Sequence, residues 1–170
     1  MLTGTKSLPE NLQIRPARPE DNGFLESLYR STRDDLRLID AADDVIEELI
    51  SMQYRAQTQG YGDTFPNAMH FVVAHLGAPI GRIVVNFGHN EVRLVDIAFV
   101  PQARGHGYGS HVIRALQLAA DRIHTPVTLS VNRANVAARR TYLALGFAVE
   151  RSDALTQQLI WYPDATHQCD

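Results

Sequence analysis

Between Phe99 and His111 the chain carries glycine at every second position, 105, 107 and 109. The run sits between an apolar, strand-like stretch that stops at Pro101 and an amphipathic, helix-like stretch that begins at once. Alternating glycines let a backbone turn without Cβ clashes, so that several N–H groups can converge on one point. A helix starting there adds its own free N–H groups and the positive end of its dipole. A strand, a loop of this kind and a helix form a pocket for a phosphate or pyrophosphate.

Other glycine loops fit less well. A phosphate-loop nucleotidase needs Gly-Lys-Ser/Thr, whereas Gly109 precedes Ser110-His111. A dinucleotide fold needs Gly-x-Gly-x-x-Gly near its first strand and an acidic residue at the end of the next strand. Here the spacing is Gly-x-Gly-x-Gly past mid-chain, and Ser130 stands at that strand end. Gly107-Tyr-Gly-Ser110-His111 is not a Gly-x-Ser-x-Gly elbow, so Ser110 reads as a phosphate contact rather than a nucleophile. The bland alternative is a glycine-rich turn without a ligand.

A second motif lies downstream. Asn135, Ala138 and Tyr142 are spaced i, i+3, i+7, along one face of a helix that follows the β-rich run Val127–Val131. Gly146 closes that helix and Phe147 opens a new apolar strand. The two motifs, Gln102-x-x-Gly105-x-Gly107 and Asn135-x-x-Ala138-x-x-x-Tyr142-x-x-x-Gly146-Phe147, resemble those of the GNAT superfamily of N-acetyltransferases. The remaining pattern gives strands near 12–17, 70–76, 80–87, 91–99, 147–151 and 155–161, a turn at Gly77-Ala-Pro79, and helices from Pro19 and over 43–59. Val45, Ile46, Leu49, Ile50 and Met52 are read as the apolar side of the second helix. The order β-α-α-β-β-β-α-β-α-β-β is the α/β mixed-sheet GNAT acyl-CoA N-acyltransferase fold. One domain over 1–170 is expected, with a core of about 12–161.

The resemblance implies transfer of acetyl from acetyl-CoA to a primary amine in a ternary complex. The runner-up is a non-catalytic acyl-CoA-binding or sensing module on the same fold. The coenzyme contacts it implies are Ile97, Ala98, Phe99, Arg104, Gly105, His106, Gly107, Tyr108, Gly109, Ser110, Asn135 and Tyr142. In that reading the Phe99 N–H faces the oxyanion, Asn135 bonds the coenzyme's amide arm, and Tyr142 protonates the leaving thiolate. Some relatives place a glutamate base five residues before the motif asparagine, and here that position is Ser130. Asp96 is the first replacement, with Glu91, His70, His89 or a water chain as alternatives. Tyr54, Arg55, Tyr61 and Phe65 fall where the acceptor-side segment of the family lies.

Composition bounds the rest. The seven histidines contain no HxH or HxxxH pair, so no metal is expected. The single cysteine, Cys169, precludes an internal disulfide framework. A net charge of −3 argues against nucleic acid as the main partner. No apolar run approaches a membrane span, and Met1 to Glu10 lacks a signal-peptide core, so a cytoplasmic location is the expectation. The amine acceptor, small molecule or protein, and the choice between monomer and homodimer stay open. Asp34, Asp35, Asp40, Asp43, Asp44, Glu47 and Glu48 are either a solvated surface or a mouth for cationic amines.

Overall fold

Alternation in Leu12-Gln-Ile becomes strand β1 (Leu12–Pro16), with Leu12 and Ile14 buried and Gln13 exposed. The computed structural model describes residues 8–9, 11–33, 36 and 38–164. Met1–Ser7, Glu10, Asp34, Asp35 and Cys169 lie outside the described residues. β2 (Met69–His75) and β3 (Ala78–Phe87) form a hairpin. Its turn is Leu76-Gly77, both with positive φ, rather than Gly77-Ala-Pro79. Two residues of that kind match the strand twist, and Pro79 is accommodated in β3 beside a register shift where no ladder N–H is needed.

β4 (Val92–Phe99) continues the antiparallel sheet, with a register shift at Val84 and Val85 that leaves Val95 as an extra residue. β5 (Val127–Asn132), β6 (Ala148–Ser152) and β7 (Thr156–Trp161) complete a seven-stranded mixed sheet in the order β1-β2-β3-β4-β5-β7-β6. Among the described residues the α-helices are α1 (Asn22–Thr32), α2 (Asp43–Thr64), α3 (Tyr108–Arg122) and α4 (Val136–Ala144). Short 3₁₀ turns precede α1 and α3. The element order is the one expected from the sequence.

Two layers cover the sheet. Ile83 and Val85 pack with Val112, Ile113 and Leu116 of α3 and with Tyr142 of α4. Arg82, one residue from Ile83 and so on the other face, donates to Gln57 of α2. α2 differs from expectation in two ways. It runs through Gly60 and Gly62 to Thr64, five residues past Gln59. Its buried stripe is Ile46 and Ile50, flanked by Leu49, while Val45 and Met52 are 56% and 55% exposed. At about 100° per residue those two point away from the seam that α1 covers. No helix of the described residues is long and apolar enough to cross a membrane.

Candidate active site

The site begins where the sheet comes apart. β4 and β5 are parallel, but they pair only from Val92 to Leu94 against Val127 to Leu129. Beyond Leu94 the two strands no longer pair, and a cavity of about 320 Å³ lies between the end of β4 and α4. The Val100 N–H bonds Ile80 O on β3. Backbone direction alternates along a strand, so the Phe99 N–H points the other way, to the open edge. Ile97, Ala98 and Phe99 line the cavity. The Arg104 Nε donates to Phe99 O at 3.0 Å, which folds this guanidinium back over the strand end at the cavity wall.

The glycine loop closes one end. Gly105 and Gly107 have φ of +78° and +79°, in the left-handed region, and a Cβ on either would meet nothing within 4 Å. The space in front of them is open. Gly107 caps α3, and the first helical bond is His111 N–H to Gly107 O. Tyr108, Gly109 and Ser110 are thereby left with N–H groups that helix geometry does not use. Gly109 differs from the other two. It is helical, and a Cβ there would meet Phe99 Cε2 at an ordinary 3.6 Å, so neither backbone conformation nor space requires glycine at this position. The Tyr108 ring turns toward His75 and His106, with centroids 5.2 and 5.7 Å away.

On the opposite wall stand Asn135, Ala138 and Tyr142, the residues placed on one helical face by their spacing. Asn135 is the N-cap of α4, and its Oδ1 accepts from Ala138 N at 3.2 Å. This carbonyl therefore has a local task, which leaves the amide NH₂ for a ligand. Tyr142 is 9% exposed, with its ring edge-on to Phe147. Burial, and next the negative charge of Asp96, push its phenol up to about 12. It is a neutral donor at pH 7. Gly146, with φ of +94°, ends α4 as expected.

The chain matches the family described as Acetyltransferase (GNAT) family over residues 25–147. It belongs to that family. Solved acetyltransferases share its fold. PaiA N-acetyltransferase from Thermoplasma acidophilum, in complex with coenzyme A, is 17% identical with a TM-score of 0.67, over 89% of this chain and 98% of that one. RimL, a ribosomal L7/L12 α-N-protein acetyltransferase also in complex with coenzyme A, is 14% identical with a TM-score of 0.65, over 93% and 97%. A variant of SpeG, a spermidine N-acetyltransferase from Vibrio cholerae, is 18% identical with a TM-score of 0.61, over 91% and 95%. Comparison with curated proteins gives no match.

Within this GNAT acyltransferase the base candidates are spread apart. Asp96 Oδ2 accepts from Arg82 Nη2, in a pair whose arginine is buried. Glu91 precedes the other end of β4, accepts from Thr128 at 2.7 Å, and stands about 20 Å along the strand from Ile97. His89 lies in the turn beside it. Ser130 accepts a hydrogen bond from Gln158 at 3.0 Å and is turned to β7. His70 lines a second cavity with Tyr54 and Tyr61, and burial, then Arg82, lowers its pKa. Arg55 instead pairs with Glu48 on the surface. Glu47 pairs with Arg30, and among the described residues none of the acidic run lines either cavity. Sequence reasoning missed Thr32 and Thr141, which line the first cavity, and Arg82, which holds Asp96.

Proposed function

We propose that the chain transfers the acetyl group of acetyl-CoA to a primary amine by direct attack, with no acyl-enzyme. The observation that carries this reading is the cavity itself. It joins an open strand edge, a helix start with unused N–H groups and a buried neutral phenol. The pyrophosphate would rest on the N–H groups of residues 105–110, and the pantetheine arm would run along Ile97–Phe99 with Asn135 donating to one of its amides. The residues present suit such a ligand, because the open edge of β4 offers peptide groups to a chain that carries amides of its own.

In the reaction the amine lone pair forms a bond to the thioester carbon, and charge moves to the carbonyl oxygen. The Phe99 N–H stabilises that oxyanion. The C–S bond then breaks, its electron pair goes to sulfur, and Tyr142 delivers the phenolic proton to the thiolate. Asp96, held on the α1/α2 face by Arg82, takes the proton that the amine nitrogen must lose. Thiol release from acetyl-CoA, measured against a panel of primary amines, tests the assignment. Turnover that Tyr142→Phe reduces about a hundredfold is expected. Tight acetyl-CoA binding with no amine turned over would favour the acyl-CoA-binding module.

A further inference from the structure

The second cavity, of about 340 Å³, opens on the α1/α2 face of the sheet. Arg18, Pro19 and Asn22 form one wall, at the start of α1. Tyr61 of α2 stands opposite, with His70 and Arg82 on the sheet. Its volume falls within the range that holds small molecules, about 300–1,000 Å³.

Its chemistry is one-sided. Two guanidinium groups line it, and no aspartate or glutamate does. Asp21, at the start of α1, is bound by both Arg15 Nη atoms at 2.8 Å and by the Arg18 N–H at 2.7 Å. The positive end of α1 opens on the same side. Arg82 is only 7% exposed. Its Nη2 donates to Asp96 and Gln57, yet its buried Nε has no acceptor among the described residues. A buried donor of that kind is rare.

The cavity also has the right neighbour. Arg82 is the cross-strand partner of Ala98, which lines the coenzyme-sized cavity, so the two are about one strand spacing, 4.8 Å, apart. Asp96 shares that face through the row His70, Val84, Asp96. A ligand held at Arg18 can therefore extend past Arg82 toward Asp96 and the thioester.

We propose that this cavity is the acceptor pocket and that the acceptor is a small amine carrying a carboxylate. Arg18 and the start of α1 receive the carboxylate, the Tyr61 hydroxyl supplies a donor beneath it, and the amine faces Asp96. A purely cationic polyamine would meet the Arg18 guanidinium in a lining without carboxylates, while Asp96 is already paired with Arg82. This proposal rests on the acetyl-transfer reading above.

The test uses three ω-amino carboxylates, glycine, 4-aminobutanoate and 6-aminohexanoate, each against its own carboxamide, with thiol release at saturating acetyl-CoA. In at least one pair the carboxylate should show kcat/KM about tenfold or more above the carboxamide, as expected of a charge-assisted contact. Arg18→Gln, an exposed position, should raise the acceptor KM and narrow that ratio, while the KM of acetyl-CoA stays put. Equal use of both members in every pair, or preference for the carboxamides, overturns the proposal. If nothing is turned over, calorimetry separates the two readings. Titration of the folded protein with 6-acetamidohexanoate supports the pocket if it binds and Arg18→Gln weakens it about tenfold. Absent or unaltered binding overturns it. A separate titration with acetyl-CoA reports on the acetyl-transfer reading alone.

Discussion

Gly81→Ala should damage the active site from the far side of β4. A Cβ at Gly81 would lie 2.6 Å from Phe99 Cδ1, 2.9 Å from Phe99 Cε1 and 2.7 Å from Ala98 O. Carbon atoms in contact settle at about 3.5–4.0 Å, so the added methyl needs roughly 1–1.4 Å of room against the nearest ring carbon. The Phe99 ring can tilt, but Ala98 O is backbone within the β3–β4 ladder and cannot. Overpacking of that size costs about 1–3 kcal/mol. For a chain of this length the melting temperature should fall by about 2–12 °C, at about 2–4 °C per kcal/mol. The catalytic loss should exceed the stability loss, because Phe99 carries the proposed oxyanion N–H, and a 1 Å misplacement can cost about a hundredfold. Thermal unfolding and kcat from thiol release are the two readouts. Gly109→Ala is the control, since its Cβ would meet Phe99 Cε2 at an ordinary 3.6 Å. It should melt no lower than the parent. A Gly81→Ala protein with parental melting temperature and kcat would refute the packing argument.

Gly107→Val places a β-branched residue at φ +79°, a strained backbone, and fills open space before the helix start. Acetyl-CoA binding should weaken by about tenfold or more by calorimetry, and unchanged affinity would remove the loop from the coenzyme site. Tyr142→Phe should lower kcat about a hundredfold and leave acetyl-CoA affinity nearly intact. With its phenol pushed up to about 12, Tyr142 stays protonated through pH 10, so no alkaline loss of kcat below that pH should belong to it. An alkaline limb near pH 9 that disappears in Tyr142→Phe would contradict this. Asp21, held by Arg15 and the Arg18 N–H, has its pKa lowered from 3.8 to about 2. Its stabilising effect is therefore complete above about pH 4 and is lost as pH falls toward 2. Asp21→Asn should melt lower at pH 7, by about 1–3 kcal/mol of stability, and show a shallower acid decline in denaturant titrations.

Local pattern carried the sequence reading a long way, and its failures have physical causes. The i, i+3, i+7 spacing of Asn135, Ala138 and Tyr142 decides a helical face without any tertiary information, and all three line the cavity. Gly105 and Gly107 needed only the knowledge that glycine tolerates left-handed backbone. Gly109 looked equivalent by its spacing, but it lies in the helix, where a Cβ would meet only Phe99 at an ordinary distance. The end of α2 was misjudged because two glycines lower helix propensity by only about 1 kcal/mol each, which tertiary context overrides here. Thr32 reaches the cavity wall only because α1 lies over β3 and β4, and no spacing in the chain announces that. Arg82 did leave a signal. A lone arginine inside Ile80-Gly-Arg-Ile-Val-Val is a charge in a buried strand, and such charges are rarely buried unpaired.

The opening of the sheet has a cause in the strand itself. Parallel pairing of β4 with β5 stops at Leu94, and the extra residue in the β3–β4 ladder is Val95, the next one along. An extra residue bends its strand and raises local twist. β4 therefore turns away from β5 while its other edge stays bonded to β3 as far as Val100 N–H and Ile80 O. One edge is kept and the other is released, which leaves the backbone from Ile97 to Phe99 rigid and yet unpaired. Rigidity matters because an oxyanion donor works only when it needs no reorganisation as charge develops. The same face of β4 carries Asp96, clamped by an arginine that is itself fixed between α2 and the sheet. The proposed base, oxyanion donor and coenzyme edge would thus be three consequences of one bent strand. Deleting Val95 would remove the bend and make the β3–β4 ladder regular: Asp96 would stay opposite Val84 on the α1/α2 side, but β4 would no longer turn away from β5, and the unpaired edge at Ile97–Phe99 should close.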